Sequence, residues 1–63
     1  MNKERIEAYK SDISKCETAV LLETFGHLAH NYYIDPKWNN VEIKMDIIIA
    51  EILKRTGERK WLD

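Results

Sequence analysis

Three side chains in the middle of this 63-residue chain, Glu23, His27 and His30, have the types and spacing to hold a cation. On a helix, residues at i, i+4 and i+7 share one face, so Glu23-x-x-x-His27-x-x-His30 sets a carboxylate beside two imidazoles. A zinc site of that kind needs further ligands from a second element. The spacings H-E-x-x-H, E-x-x-H and Cys-x-x-Cys are all missing. The other reactive group is the single cysteine, Cys16, and a thiol nucleophile needs a base and a group to orient that base. Cys16 falls on the apolar series Ile6, Tyr9, Ile13, Cys16, Val20, where a small buried thiol is the ordinary role. There is no glycine-rich phosphate loop, no paired-carboxylate motif, and no arginine separated by four to six residues from a following histidine. These residues predict a non-enzymatic protein without a cofactor. Glu23, His27 and His30 are read as an ordinary polar face, with a metal half-site as the weaker alternative.

The helix that must carry these groups supports that reading. At 100° per residue, Leu21, Leu22, Phe25, Leu28, Ala29 and Tyr32 cover about 120° of one side, and His27 points nearly opposite. Gly26 lies at the edge of the apolar face, where a glycine costs roughly 1 kcal/mol relative to alanine. It either marks the close approach of another helix, within the chain or between chains, or is simply tolerated.

Apolar spacing is helical along almost the whole chain, and Asn-Gly or Asp-Gly hairpin signals are absent. One small domain over 1–63 is expected, with helical segments at about 3–13, 15–33 and 36–56 and a tail at 57–63. Ser14-Lys15-Cys16-Glu17 fits a capping box, which starts the second segment near Lys15. An uninterrupted helix through Ser14 is the alternative. Asp35 suits an N-cap and Pro36 the first helical position, so the last segment is expected from there. If Asn39-Asn40 breaks it, the start moves to Val41 with Asn40 as cap. Gly57 is expected as the C′ residue, with Lys54 and Arg55 complementing the dipole.

The last segment carries more apolar surface than one neighbour can cover. Trp38, Val41, Met45, Ile48, Ile49, Ile52 and Leu53 form a core face of about 140°. Ile43, Ile47 and Ala50 lie away from it. Either the N-terminal segment covers this second patch, or a second chain does. A chain of this length buries only about 60% of its unfolded surface, and one cysteine allows no internal disulfide. A homodimer is therefore expected. The fold class is all-α: an antiparallel helical hairpin with an N-terminal helical segment, forming a dimeric helical bundle.

Composition narrows the partners. Hydrophobic residues make up 44% and charged residues 33%, a mixture that excludes a disordered tail. A net charge of -1 argues against a generally basic nucleic-acid binder. No apolar run approaches the roughly 18–20 residues that span a bilayer, and the charged start "MNKERIEAYK" does not read as a secretory signal. A lone thiol fits a reducing compartment, and a cytoplasmic location is expected. Lys54, Arg55, Arg59 and Lys60, with Trp61 beside them, form a local basic cluster that is a candidate nucleic-acid contact. Ile43, Ile47, Ala50, Tyr32, Tyr33 and Trp38 are the candidate partner or self interface, because aromatic anchors dominate interfaces.

The charged start, "ISKCETAVLLETF", the aromatic-rich turn "NYYIDPKW" and the ending "KMDIIIAEILKRTGE" together resemble small helical proteins of bacteriophages and other mobile elements. The likeness is one of pattern over most of the chain and transfers no catalytic residue. It implies a regulator or inhibitor that works by binding a host protein. Length and expected shape are also similar to dimeric helical-hairpin RNA-binding regulators of plasmids, a likeness of architecture alone.

Overall fold

The structure, a computed structural model, describes residues 1–57. It is all-helical, with no strand among the described residues. Three α-helices follow one another: α1 (Lys3–Lys15), α2 (Thr18–Ile34) and α3 (Val41–Gly57), with a short 3-10 turn at Trp38–Asn40 before the last. No helix among the described residues is long and apolar enough to cross a membrane.

The first helix starts where Asn2 caps it, its Oδ1 accepting the Arg5 backbone N–H at 2.9 Å. Ser14 lies inside α1 and does not begin the next helix. Its hydroxyl donates to the Ser11 carbonyl at 2.7 Å, the back-bonding that Ser makes within helices. The break comes two residues later, where Cys16 and Glu17 turn to extended backbone. A break near Ser14 is thus present, but the expected capping box does not make it. Glu17 stands at the N-cap of α2 without a side-chain cap hydrogen bond.

Asp35 also differs from expectation. It closes α2, its N–H donating to the Asn31 carbonyl at 2.8 Å. Its Oδ1 then accepts the Lys37 N–H at 3.1 Å, and its carbonyl accepts the Trp38 N–H at 3.1 Å. The side chain therefore holds a tight turn, the local competition with helix that Asp offers. Asn39 and Asn40 follow with φ of 50° and 56°, left-handed backbone that Asn tolerates better than most residues. Two such residues in succession cannot continue a helix, so α3 starts at Val41, the later of the two starts considered. Trp38 consequently stands outside α3. Gly57 is the last residue of α3 and does not carry positive φ, so it is not the left-handed C′ residue expected.

The third helix is central: α1 and α2 both pack on it. The core joins Ile13 of α1, Leu21 of α2, and Ile47 and Ile48 of α3. Around it pack Ile6, Tyr9 and Cys16 from α1, Phe25 and Leu28 from α2, and Ile43 and Ile52 from α3. Tyr9 meets Lys44 near the start of α3, and the end of α1 meets Arg55 near its end, so α1 and α3 run in the same direction. Ile43 and Ile47 of the second apolar patch on α3 are covered from within the chain, while Ala50 stays exposed. Ile47 is 8% exposed and lies in the core with Ile13. The N-terminal segment covers it, so Ile47 offers no free surface for a partner chain.

Candidate interaction surfaces

The chemically capable residues are spread over the outside. His27 Nε2 lies 3.9 Å from Glu23 Oε1, with both side chains mostly in water. His30 is exposed as well. Among the described residues, no group of three or more His, Cys, Asp or Glu side chains is close enough to hold a metal ion. Cys16 is half-buried, and its thiol donates to the Asp12 carbonyl at 3.3 Å. Nearby Tyr9 holds its phenol proton above the ordinary tyrosine range, first because burial disfavours the phenolate and second because Cys16 is close. Lys44 Nζ sits 5.9 Å from the centre of its ring.

The basic end of α3 is divided. Lys54 is exposed. Arg55 turns inward and spends its guanidinium on the chain itself. Its Nε donates to Glu51 Oε2 at 2.8 Å and its Nη1 to Thr18 Oγ1 at 2.9 Å. Nη2 reaches the Cys16 carbonyl at 2.8 Å and the Ile13 and Ser14 carbonyls at 3.4 Å. A helix end leaves its last carbonyls without partners, and here one arginine from a distant helix supplies them. Arg55 is therefore a fastening between α3 and the α1–α2 junction, not a free cation for phosphate. Arg59, Lys60 and Trp61 lie outside the described residues.

The aromatic turn is on the surface. Tyr33 is 87% exposed and Trp38 53%, with Ile34 beside them at 68%. Tyr32 is exposed too. Ile34 and Trp38 line a shallow hollow with Asn31 and Asp35. The Asp35 hydrogen bonds fix the backbone beneath this hollow, so the apolar groups are presented from an ordered turn. Ile43 is half-buried against the core, while Ala50 is exposed at the edge of a groove between α1 and α3.

A second apolar surface is not among the candidates that the sequence suggests. Leu22 and Phe25 of α2 line a groove with Ile49, Ile52 and Leu53 of α3, and no polar side chain lines it. Leu22, Ile49 and Leu53 fall on the expected core faces, yet they are 56%, 40% and 63% exposed. The signal for this surface is present in the spacing. Ala19, Leu22, Gly26, Ala29 and Tyr33 recur at 3, 4, 3 and 4 residues, a seam beside the core seam of Leu21, Phe25, Leu28 and Tyr32. A cluster of apolar side chains on an ordered, outward surface is the mark of a contact site. Comparison with family models, curated proteins and solved structures gave no match.

Proposed function

We propose that this chain is a small non-enzymatic interaction protein, a phage-type regulator or inhibitor that binds a host protein through its aromatic turn. The observation that carries this reading is the exposure of Tyr33, Ile34 and Trp38 on a turn held by Asp35. Rigid aromatic side chains bury much area at little entropic cost, which is why they serve as anchors. The pattern-level resemblance to mobile-element proteins supports the regulatory setting, and the lone thiol of Cys16 fits a cytoplasmic one. In this reading α2 and α3 form an antiparallel hairpin, α1 lies against α3, and two copies associate into a helical bundle.

The test uses wild-type protein and the Tyr33→Ala, Trp38→Ala double variant as baits in bacterial lysate. One discrete protein should be retained by the wild type at high salt and lost with the variant, while circular dichroism shows unchanged helicity. Equal capture by both baits would overturn the role of the turn. Retention only of nucleic acid, weakening steeply with salt and lost on Lys54→Ala, would put a nucleic-acid-binding dimer in its place.

A further inference from the structure

Two bond rotations separate α1 from its place on its own α3, and we propose that copies of this chain exchange this helix: α1 of each copy packs on α3 of a second copy. The inference rests on the dimer within the proposed function, and it assigns the element that joins the copies.

The backbone of the α1–α2 junction carries the argument. Cys16 has φ -81° and ψ 149°, and Glu17 has φ -68° and ψ 152°. Both φ angles are already helical, so only the two ψ angles distinguish the bent junction from one helix over 3–34. Nothing in the sequence forbids that helix. No glycine or proline precedes Gly26, and Ile6, Tyr9, Ile13, Cys16 and Val20 keep their 3, 4, 3, 4 spacing across the junction. The bend interrupts this series and leaves Val20 47% exposed. Local capping does not secure the bend, since Glu17 makes no side-chain cap hydrogen bond.

Arg55 is what holds it. A continuous helix gives the Ile13, Ser14 and Cys16 carbonyls to the N–H groups of Glu17, Thr18 and Val20. In the bent chain those three carbonyls accept from Arg55 Nη2 instead. The arginine is a latch in direct competition with helix continuation.

The structure also shows what fits the face that α1 uncovers. Ile43 and Ile47 pack in one cluster with Ile6, Tyr9 and Ile13 of α1, and Lys44 meets the Tyr9 ring. An α1 from a second copy brings the same side chains to the same places. Exchange therefore keeps these contacts and adds the helical hydrogen bonds of the junction. Direction agrees as well. Helix α2 starts beside Arg55 and runs antiparallel to α3. A straightened α1 continues α2 past the end of its own α3, and a two-fold axis across the helices brings the second copy's α3 alongside it. The aromatic turn lies at the opposite end of the α2–α3 hairpin, so exchange leaves Tyr33 and Trp38 free for a host protein.

Glu17→Pro tests the proposal. Proline suits the bent chain, because the φ of Glu17 is -68° and Cys16 before it is extended, but it falls in the middle of the straight helix. Each protein is unfolded in urea, refolded at high concentration, and weighed by light scattering on a sizing column. The wild type should give a monomer of 7.5 kDa and a dimer of twice that mass. Arg55→Ala should raise the dimer-to-monomer ratio at least about tenfold, since the latch is lost. Glu17→Pro should lower it at least about a hundredfold, alone and combined with Arg55→Ala, while circular dichroism shows a folded helical monomer. A short bis-maleimide between Tyr9→Cys and Lys44→Cys, in a Cys16→Ser background, gives a second readout on denaturing gels. The link should join two chains in the dimer fraction and lie within one chain in the monomer. A wild type that yields monomer alone overturns the proposal. So does a dimer that Glu17→Pro leaves undiminished, or one whose link lies within each chain. These three results leave the Tyr33 and Trp38 capture test standing, whereas loss of host capture with the exchanged dimer intact counts against the proposed function alone.

Discussion

Arg55 on α3 donates to the carbonyl of Cys16, thirty-nine residues earlier, at 2.8 Å, and in doing so closes the end of α1. The same guanidinium holds Thr18 at the start of α2 and Glu51 one turn back on its own helix. All three helices meet at one planar cation. Such a fork reaches several acceptors at once only because its donors are fixed in a plane.

Arg55→Ala should therefore cost about 2 kcal/mol, the range for hydrogen bonds to a charged donor. In a domain of this size that lowers the melting temperature by roughly 10 °C. Arg55→Lys should recover only part, since an ammonium cannot span the Cys16 carbonyl and the Thr18 hydroxyl together. Thermal unfolding followed by circular dichroism reads both, and a melting point unmoved by Arg55→Ala would remove this role.

Asn39 and Asn40 offer a backbone test. Both occupy left-handed φ, where a Cβ is penalised and Asn is favoured by its local hydrogen bonding. Alanine at either position should destabilise by about 1 kcal/mol, while glycine should be neutral or slightly stabilising. Urea titration of the four single variants gives the order, and alanine matching glycine would mean the turn is not held in this conformation.

Ile47 and Tyr33 separate folding from binding. Ile47→Ala removes a core side chain under α1 and should cost about 2–4 kcal/mol, a large share of a small domain's stability. Tyr33→Ala, at a position in water, should leave stability within about 0.5 kcal/mol. Equal losses for the two in chemical denaturation would contradict the packing of α1 on Ile47.

Tyr9 predicts behaviour in alkali. Its phenol holds its proton more firmly in the folded chain than in the unfolded one, because burial disfavours the phenolate. Below the ordinary tyrosine pKa of about 10 both states are protonated, and this contribution is fully present. As pH rises past that value the unfolded chain ionises first, so stability falls until the folded pKa is passed. Tyr9→Phe should lose less stability than the wild type from about pH 9 to the alkaline limit, in paired denaturation series. Parallel curves would show that this phenol carries no linkage.

The exposed histidines predict little effect. His27→Ala and His30→Ala should leave thermal stability at neutral pH within about 0.5 kcal/mol, since surface groups without enclosed partners contribute little. Added zinc should not raise the melting temperature of the wild type. A zinc-dependent rise that both substitutions abolish would restore a metal site at Glu23, His27 and His30.

Helical class and the approximate extent of each segment were legible in the sequence, because the period of apolar residues is a property of the chain itself. So was the outward direction of His27, which follows from its angle to Leu21 and Leu28. Local chemistry decided less than its motifs suggested. Ser14 and Asp35 are good caps in isolation, yet Ser14 bonds back within α1 and Asp35 folds its own turn. The choice among competing hydrogen bonds is made by where the neighbouring helices run. Which patch of α3 is covered was open along the chain, since Ile43 and Ile47 ask only for an apolar partner. The packing of Ile13 supplied it and left Leu22, Ile49 and Leu53 outside. Arg55 shows the same limit most plainly. Its charge is written in the sequence, but the carbonyls it serves exist as unpaired acceptors only once α1 has ended beside it, and that proximity belongs to the tertiary structure.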